Sequence, residues 1–135
     1  MTSTSLSTPR RLIVGISGAS GILYGIRILQ VLQDSGIERH LVMSDSAKMT
    51  LATETDMSLK AVEALATEVH NAKNIGATIS SGSFKTMGMV VAPCSVRSLS
   101  EIAYGMTTSL LSRAADVVLK ERRRLVLMLR ETPLH

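Results

Sequence analysis

Gly15, Gly18 and Gly21 recur at every third residue in Gly15-Ile16-Ser17-Gly18-Ala19-Ser20-Gly21. Residues this small let successive backbone N–H groups close on an anion where a helix begins. The spacing is G-x-x-G-x-x-G, not the G-x-G-x-x-G of dinucleotide folds. A tight strand-to-helix turn holding no ligand fits it as well as an anion cradle does. No acidic residue sits at the end of the second expected strand, where a ribose-binding carboxylate would stand; Met43-Ser44 is there instead. That disfavours NAD chemistry and leaves a phosphate-bearing flavin open.

The second group is Pro93-Cys94-Ser95, with Ser98 close behind. Cys94 is the only cysteine, and a nucleophilic thiol needs an activating base that no local histidine supplies. A buried structural thiol is the favoured role. Ser17, Ser20, Ser95 and Ser98 could cap helices or hydrogen-bond a ligand, and the sequence leaves both uses open. His40, His70 and His135 lie far apart without ligand-like spacing, so no metal site is expected. Lys120, Arg122, Arg123 and Arg124 against Glu121 supply most of the net charge of +4. The run is short and has no stacking aromatics beside it, so it reads as a solvated turn and not as a nucleic-acid surface.

Positioning these groups requires strands that end at them. Leu12–Ile16 is a continuous β-prone run, and Ile22, Leu23, Ile26, Leu29 and Leu32 then follow helical spacing up to Gly36. Glu38–Met43 reads as a second strand. Ser44-Asp45-Ser46 caps a helix to about residue 53, and Ser58 caps another carrying Leu59, Val62, Ala66 and Val69. Residues 70–85 show no clear pattern apart from the loop Ser80–Ser83. Met87–Ala92 is a third strand that Pro93 should stop, helices follow to about Gly105 and over Leu110–Lys120, and Leu125–Leu129 is a fourth strand. The alternation predicts a layered α/β domain with a mainly parallel sheet. Ligands of such sheets bind beyond the carboxyl ends of the strands. Here those ends carry Ser17–Gly21, Ser44–Ser46, Pro93–Ser98 and Arg130-Glu131, all polar or glycine-rich.

Composition agrees with one domain. The chain has 135 residues, 45% hydrophobic and 19% charged, which excludes a disordered or acidic solvating segment. Aromatics make up only 2%, so the core must be aliphatic, padded by 8 methionines. No apolar run approaches the roughly 20 residues that span a membrane. Residues 1–10 read as a flexible leader without a signal-peptide core, and 11–135 as the folded domain. The lone cysteine fits a reducing compartment, and the cytoplasm is expected.

In order along the chain, Gly18-Ala19-Ser20-Gly21 with Tyr24-Gly25, Glu54-Thr55-Asp56 and Pro93-Cys94-Ser95 resemble the UbiX-type flavin prenyltransferases. So do Arg113–Val117, Leu119–Arg123 and Arg130-Glu131-Thr132-Pro133. These proteins are also known as aromatic acid or 3-octaprenyl-4-hydroxybenzoate carboxy-lyases. The resemblance runs from about Arg11 to the last residue. It implies a flavodoxin-like (Rossmann-like) three-layer subunit that binds FMN and needs no metal. It also implies transfer of a dimethylallyl group from dimethylallyl phosphate to FMN. The prenylated FMN serves a UbiD-type decarboxylase, with ubiquinone biosynthesis as one setting, and the subunits form a homo-oligomer, commonly a dodecamer.

By motif, Gly18, Ala19, Ser20, Ser44, Ser95, Val96, Arg97, Ser98 and Arg130 would contact FMN. Ser20, Glu54 and Glu131 match catalytic, proton-handling positions, and Arg113 and Lys120 match positions that hold the prenyl phosphate. Taken alone, Arg113, Lys120 and Glu131 read as solvated or ion-paired surface groups. Ionising an allylic phosphate does need cations at the leaving group, and ring closure needs a proton acceptor.

Three departures stand out. Ser98 replaces a usual Thr, Arg124 replaces a usual Pro, and the family continues beyond His135 with a segment bearing a Tyr and a basic residue for the prenyl phosphate. The chain therefore reads as a C-terminally shortened member, with weakened FMN binding and little transfer expected. The alternatives are a non-catalytic FMN-binding remnant and an aromatic acid decarboxylase-type flavoprotein. A flavin-dependent cysteine decarboxylase would need a catalytic His and an Asn-bearing loop, and neither stands at the expected strand ends.

Overall fold

The computed structural model describes residues 9–130. Five strands form one parallel sheet: β1 (Arg11–Ile16), β2 (Glu38–Met43), β3 (Glu68–His70), β4 (Gly88–Cys94) and β5 (Arg124–Leu129), in the order β3-β2-β1-β4-β5. The helices are α1 (Ile22–Val31), α2 (Asp45–Glu54), α3 (Leu59–Glu63), α4 (Val96–Ala103) and α5 (Leu110–Lys120). Parallel neighbours need crossovers, and the helices supply them on both faces. The chain therefore folds as a three-layer, flavodoxin-like (Rossmann-like) α/β domain, with the strand order of the Rossmann arrangement.

Period-two alternation divides the strands between two cores. Val14, Ile16, Leu41 and Met43 face α1, α2 and α3 through Ile22, Ile26, Leu29, Ala47, Leu51 and Val62. Ile13, Val42, Met89 and Val91 face α4 and α5 through Ile102, Leu110, Leu111, Ala114, Ala115 and Val118. Both cores are aliphatic, as the composition requires. Burying one Leu or Ile contributes about 1.5–3 kcal/mol, so the two cores together hold the sheet between its helices.

The chain runs outward from β1 to β2 and β3, then returns to place β4 on the other side of β1. That reversal opens a crevice at the carboxyl ends of β1 and β4, the position at which open sheets take ligands.

Four expectations are corrected. Val69 belongs to the edge strand β3, not to the preceding helix, which ends at Glu63; β-branched Val69 pairs with Leu41 of β2. The sheet thus has five strands, and a short 3-10 turn at Thr78–Ser80 occupies the stretch without a clear pattern. Pro93 does not stop β4. Its missing N–H falls where the pairing shifts register between Val91 and Cys94, so no ladder bond is lost. Helix α1 ends at Val31, and Gly36 serves the later turn into β2.

Candidate functional site

Three loops meet at the carboxyl rim of the sheet, tied by backbone and serine groups. The Ser17 N–H and hydroxyl both donate to the Pro93 carbonyl (3.2 and 2.8 Å), and the Ser17 oxygen accepts from the Ser95 N–H (2.7 Å). The Ser44 N–H donates to the Ile16 carbonyl, and the Arg130 N–H to the Cys94 carbonyl. The ends of β1, β2, β4 and β5 are thereby joined into one frame.

The glycine loop carries its own anion. Gly21 caps α1 at φ +99°, a left-handed conformation that other residues rarely adopt. The two N–H groups that open the helix, Gly21 and Ile22, donate to Glu54 Oε1 at 3.1 and 3.2 Å, and the Ser20 hydroxyl donates to Glu54 Oε2 at 2.9 Å. A carboxylate at a helix N-terminus satisfies orphan donors and the positive end of the dipole. Burial pushes the Glu54 carboxyl up. The Ile22, Ser20 and Gly21 donors and the Arg130 charge outweigh that and hold it below the ordinary carboxylate value. The Arg130 guanidinium lies 5.2 Å from the Tyr24 ring centroid.

Two other helices begin at the same rim with a serine cap in place of a carboxylate bound across their opening N–H groups, although Asp45 stands on the first turn of α2. Ser44 caps α2 by accepting from the Ala47 N–H, and Ser95 caps α4 by accepting from the Ser98 N–H while its hydroxyl donates to Ser98 Oγ. Between them lies a cavity of about 480 Å³ lined by Ser44, Ser46, Ser95, Arg97, Ser98 and Ser109 among others. That size is within the usual range for small-molecule sites, roughly 300–1,000 Å³. Gly18 packs tightly against Ser46 of that lining, because a Cβ there would stand 2.5 Å from the Ser46 Cβ. A larger cavity of about 560 Å³ opens at the opposite rim among Leu12, Met89, Arg123 and Arg124. It lies at the amino ends of the strands and gathers no comparable set of helix starts.

A family model for the flavoproteins matches residues 1–134. Over 127 residues the chain is 64% identical to the flavin prenyltransferase UbiX of Escherichia coli K12, spanning 93% of this chain and 67% of that protein. The chain belongs to the UbiX branch of the flavoprotein family. Its fold matches the crystal structure of AnUbiX (PadA1) in complex with FMN and dimethylallyl pyrophosphate with a TM-score of 0.90 at 49% identity, over 95% of this chain and 68% of that one. It also matches a dodecameric FMN-dependent UbiX-like decarboxylase from Escherichia coli O157:H7 (TM-score 0.89, 52% identity, 93% and 69% covered). This UbiX-family chain spans about two thirds of the length of these relatives.

Among the residues singled out from sequence, Ser44, Ser95, Arg97 and Ser98 line the cavity together. Gly18, Ala19, Ser20, Glu54 and Arg130 form the neighbouring loop cluster, and Val96 opens α4 with its side chain exposed. Arg113 and Lys120 are exposed on α5, seven residues apart and so roughly 10 Å along the axis. Lys120 is held by Asp116 at 2.9 Å. Neither residue lines the serine cavity of this UbiX-family chain. Glu131 lies outside the described residues.

Sequence reasoning missed Lys73, Thr108 and Ser109 in the cavity wall, whereas Ser46 belongs to the polar strand end Ser44–Ser46 read from sequence. Ser109 carried a signal, since Ser109 and Ser112 form a capping box at the start of α5. Lys73 carried none, because it follows the edge strand that the sequence pattern concealed. Cys94 is fully buried, and burial pushes its thiol up to about 11, which fits the structural role.

Proposed function

We propose that the protein is a flavin prenyltransferase that uses dimethylallyl phosphate to make prenylated FMN for a UbiD-type decarboxylase. One observation carries the reading: the Ser20–Glu54 pair and a serine-lined cavity of about 480 Å³ share the carboxyl rim, in a chain of the UbiX branch. The donor set suits FMN. Ser44, Ser95 and Ser98 with the first turns of α2 and α4 would hold it as neutral and backbone donors, and Arg97 would add charge at the mouth. When bound, FMN supplies the ring that accepts the prenyl group.

The chain's own residues would do the rest. Glu54, kept ionised by three donors, takes or relays a proton through the Ser20 hydroxyl. Glu131 is assigned a second proton-handling role. Arg130 sits beside Tyr24 and Glu54, where its charge favours phosphate. Arg113 and Lys120 would meet phosphate from exposed positions on α5, which places that half of the site at a junction between subunits. Exposed Leu23, Val31, Val126 and Leu129 give α1 and β5 an apolar outer side, which supports assembly into a homo-oligomer such as a dodecamer. Among the described residues no helix is long and apolar enough to cross a membrane. With a single buried free thiol, a cytoplasmic location is proposed.

The test is purification with FMN, gel filtration, then addition of dimethylallyl phosphate with mass analysis of the flavin. Flavin should be retained, and turnover should release inorganic phosphate as the C–O bond breaks and the dimethylallyl group joins the ring. Turnover by the 135-residue chain would mean that Arg113, Lys120 and Arg130 suffice to hold the donor. Retained flavin without turnover calls for the same assay on a chain extended to its relatives' length. Failure of that chain to form prenylated FMN overturns transfer, and loss of flavin retention overturns the site itself.

A further inference from the structure

On the α5 side of the sheet, β2 and β3 bring two histidines and two carboxylates together. His40 pairs with Glu68, and Val42 with His70, in the β2–β3 register, so Glu38, His40, Glu68 and His70 share one face. His40 and His70 are both buried, whereas the Glu68 side chain is 57% exposed. His40 Nδ1 lies 3.0 Å from His70 Nε2 and 3.7 Å from Glu68 Oε2, and the three ligand atoms all lie within 4.8 Å of one another.

The outer partners are in place as well. His40 Nε2 stands 3.0 Å from Glu38 Oε1, which also accepts from Arg11 Nε at 3.2 Å. A carboxylate acceptor there fixes the proton on Nε2 and turns the Nδ1 lone pair toward His70 and Glu68. This carboxylate–histidine arrangement orients ligands in metal sites. Phe84 packs against His40 with the two rings steeply inclined and their centroids 5.1 Å apart, and the Arg11 guanidinium lies 4.3 Å from the Phe84 ring centroid. Glu38 and Glu68 both face the cluster, and the one cation that pairs with either of them among the described residues is Arg11, so the carboxylate charge favours a bound cation.

We propose that His40, His70 and Glu68 form a binding site for a divalent transition metal of the zinc type, held in position by Glu38. Zinc bonds of about 2.0–2.1 Å in tetrahedral geometry put ligand atoms roughly 3.3 Å apart, and the observed 3.0 and 3.7 Å bracket that spacing. Two imidazoles and a carboxylate suit zinc over calcium or magnesium. Bound there, the ion would clip the three-residue edge strand β3 to β2, independently of the flavin site.

Tag-free protein, stripped with a chelator and titrated with zinc chloride in a calorimeter, should bind one ion per chain, and its Tm should rise by several degrees. Cobalt in place of zinc should give the visible bands of a tetrahedral site. Glu38→Gln should weaken binding about 10–100-fold, the usual cost of losing an outer partner. Glu68→Gln, at an exposed side chain, should weaken it and alter the cobalt spectrum, and His70→Gln should abolish both signals. His135→Ala should leave them unchanged. Absence of saturable binding overturns the site, as does binding indifferent to both Glu68→Gln and Glu38→Gln. Should His70→Gln fail to fold, the two glutamate variants still decide.

Discussion

The start of α1 and the starts of α2 and α4 use the same backbone device to different ends. All three helices open at the carboxyl rim with unpaired N–H groups and a positive dipole end. At α1 the protein supplies its own anion, Glu54. At α2 and α4 the caps are single serine hydroxyls, Ser44 and Ser95, with a cavity between them and Asp45 on the first turn of α2 paired outward with Lys73. A glycine loop therefore need not be the part that holds a ligand's phosphate. Here it holds the Glu54 carboxylate, and under the proposed function the serine-capped helices would receive the ligand.

The sharpest way to break this contrast is Glu54→Gln. The amide oxygen can still accept from Gly21 and Ile22, so the loop should stay folded. Prenyl transfer should fall about 10²–10⁴-fold, the usual worth of a general acid–base group, with flavin retention nearly unchanged. Assay of both on one preparation checks it, and equal losses would remove the distinction between the two regions. Ser20→Ala should follow the same pattern to a smaller extent.

Gly18→Ala comes next. The added Cβ meets Ser46 at 2.5 Å, and overpacking of this kind costs about 1–3 kcal/mol. Denaturant melts should show that loss, and flavin affinity should fall as α2 is pushed from the rim. Ser95→Ala removes the cap of α4 and the partner of Ser98. About 1 kcal/mol of stability should go, and flavin binding should weaken without the proton-handling change expected at Glu54.

The smallest effect is on pH dependence. Glu54 has a folded pKa below its unfolded one. Its contribution to stability is therefore full above the unfolded value of about 4.3 and is lost as pH falls through the folded value. The glycine loop should loosen at acid pH before the serine-capped starts do. Amide exchange at Gly21 and Ile22 against Ala47 and Ser98, followed down the pH scale, reads the difference directly.

Much of this was legible because hydrophobic period and capping residues agree locally. Glu38–Met43 and Leu110–Lys120 could be read to the residue, and Ser44, Ser58 and Ser95 each announced a helix that forms. Concealed features were those fixed by distant partners. Val69 joins a strand only because β2 offers it a ladder, and Pro93 is tolerated only because the register shifts around it. In the candidate site, the polar strand ends could be read from sequence. The capture of Glu54 by α1 could not, since it joins residues more than thirty positions apart. The meeting of His40 and His70 was hidden in the same way, by thirty residues of separation.

The Ser17 hydroxyl has a kinetic consequence. It is at once donor to Pro93 and acceptor from Ser95, so the end of β1 and the start of α4 share one buried hinge pin. Neither loop can swing open without breaking bonds to the other, and a ligand entering between them meets a frame that is already set. The side of the cavity bounded by Lys73 and Asp45 is held more loosely, by an exposed pairing at 3.9 Å that is easily parted.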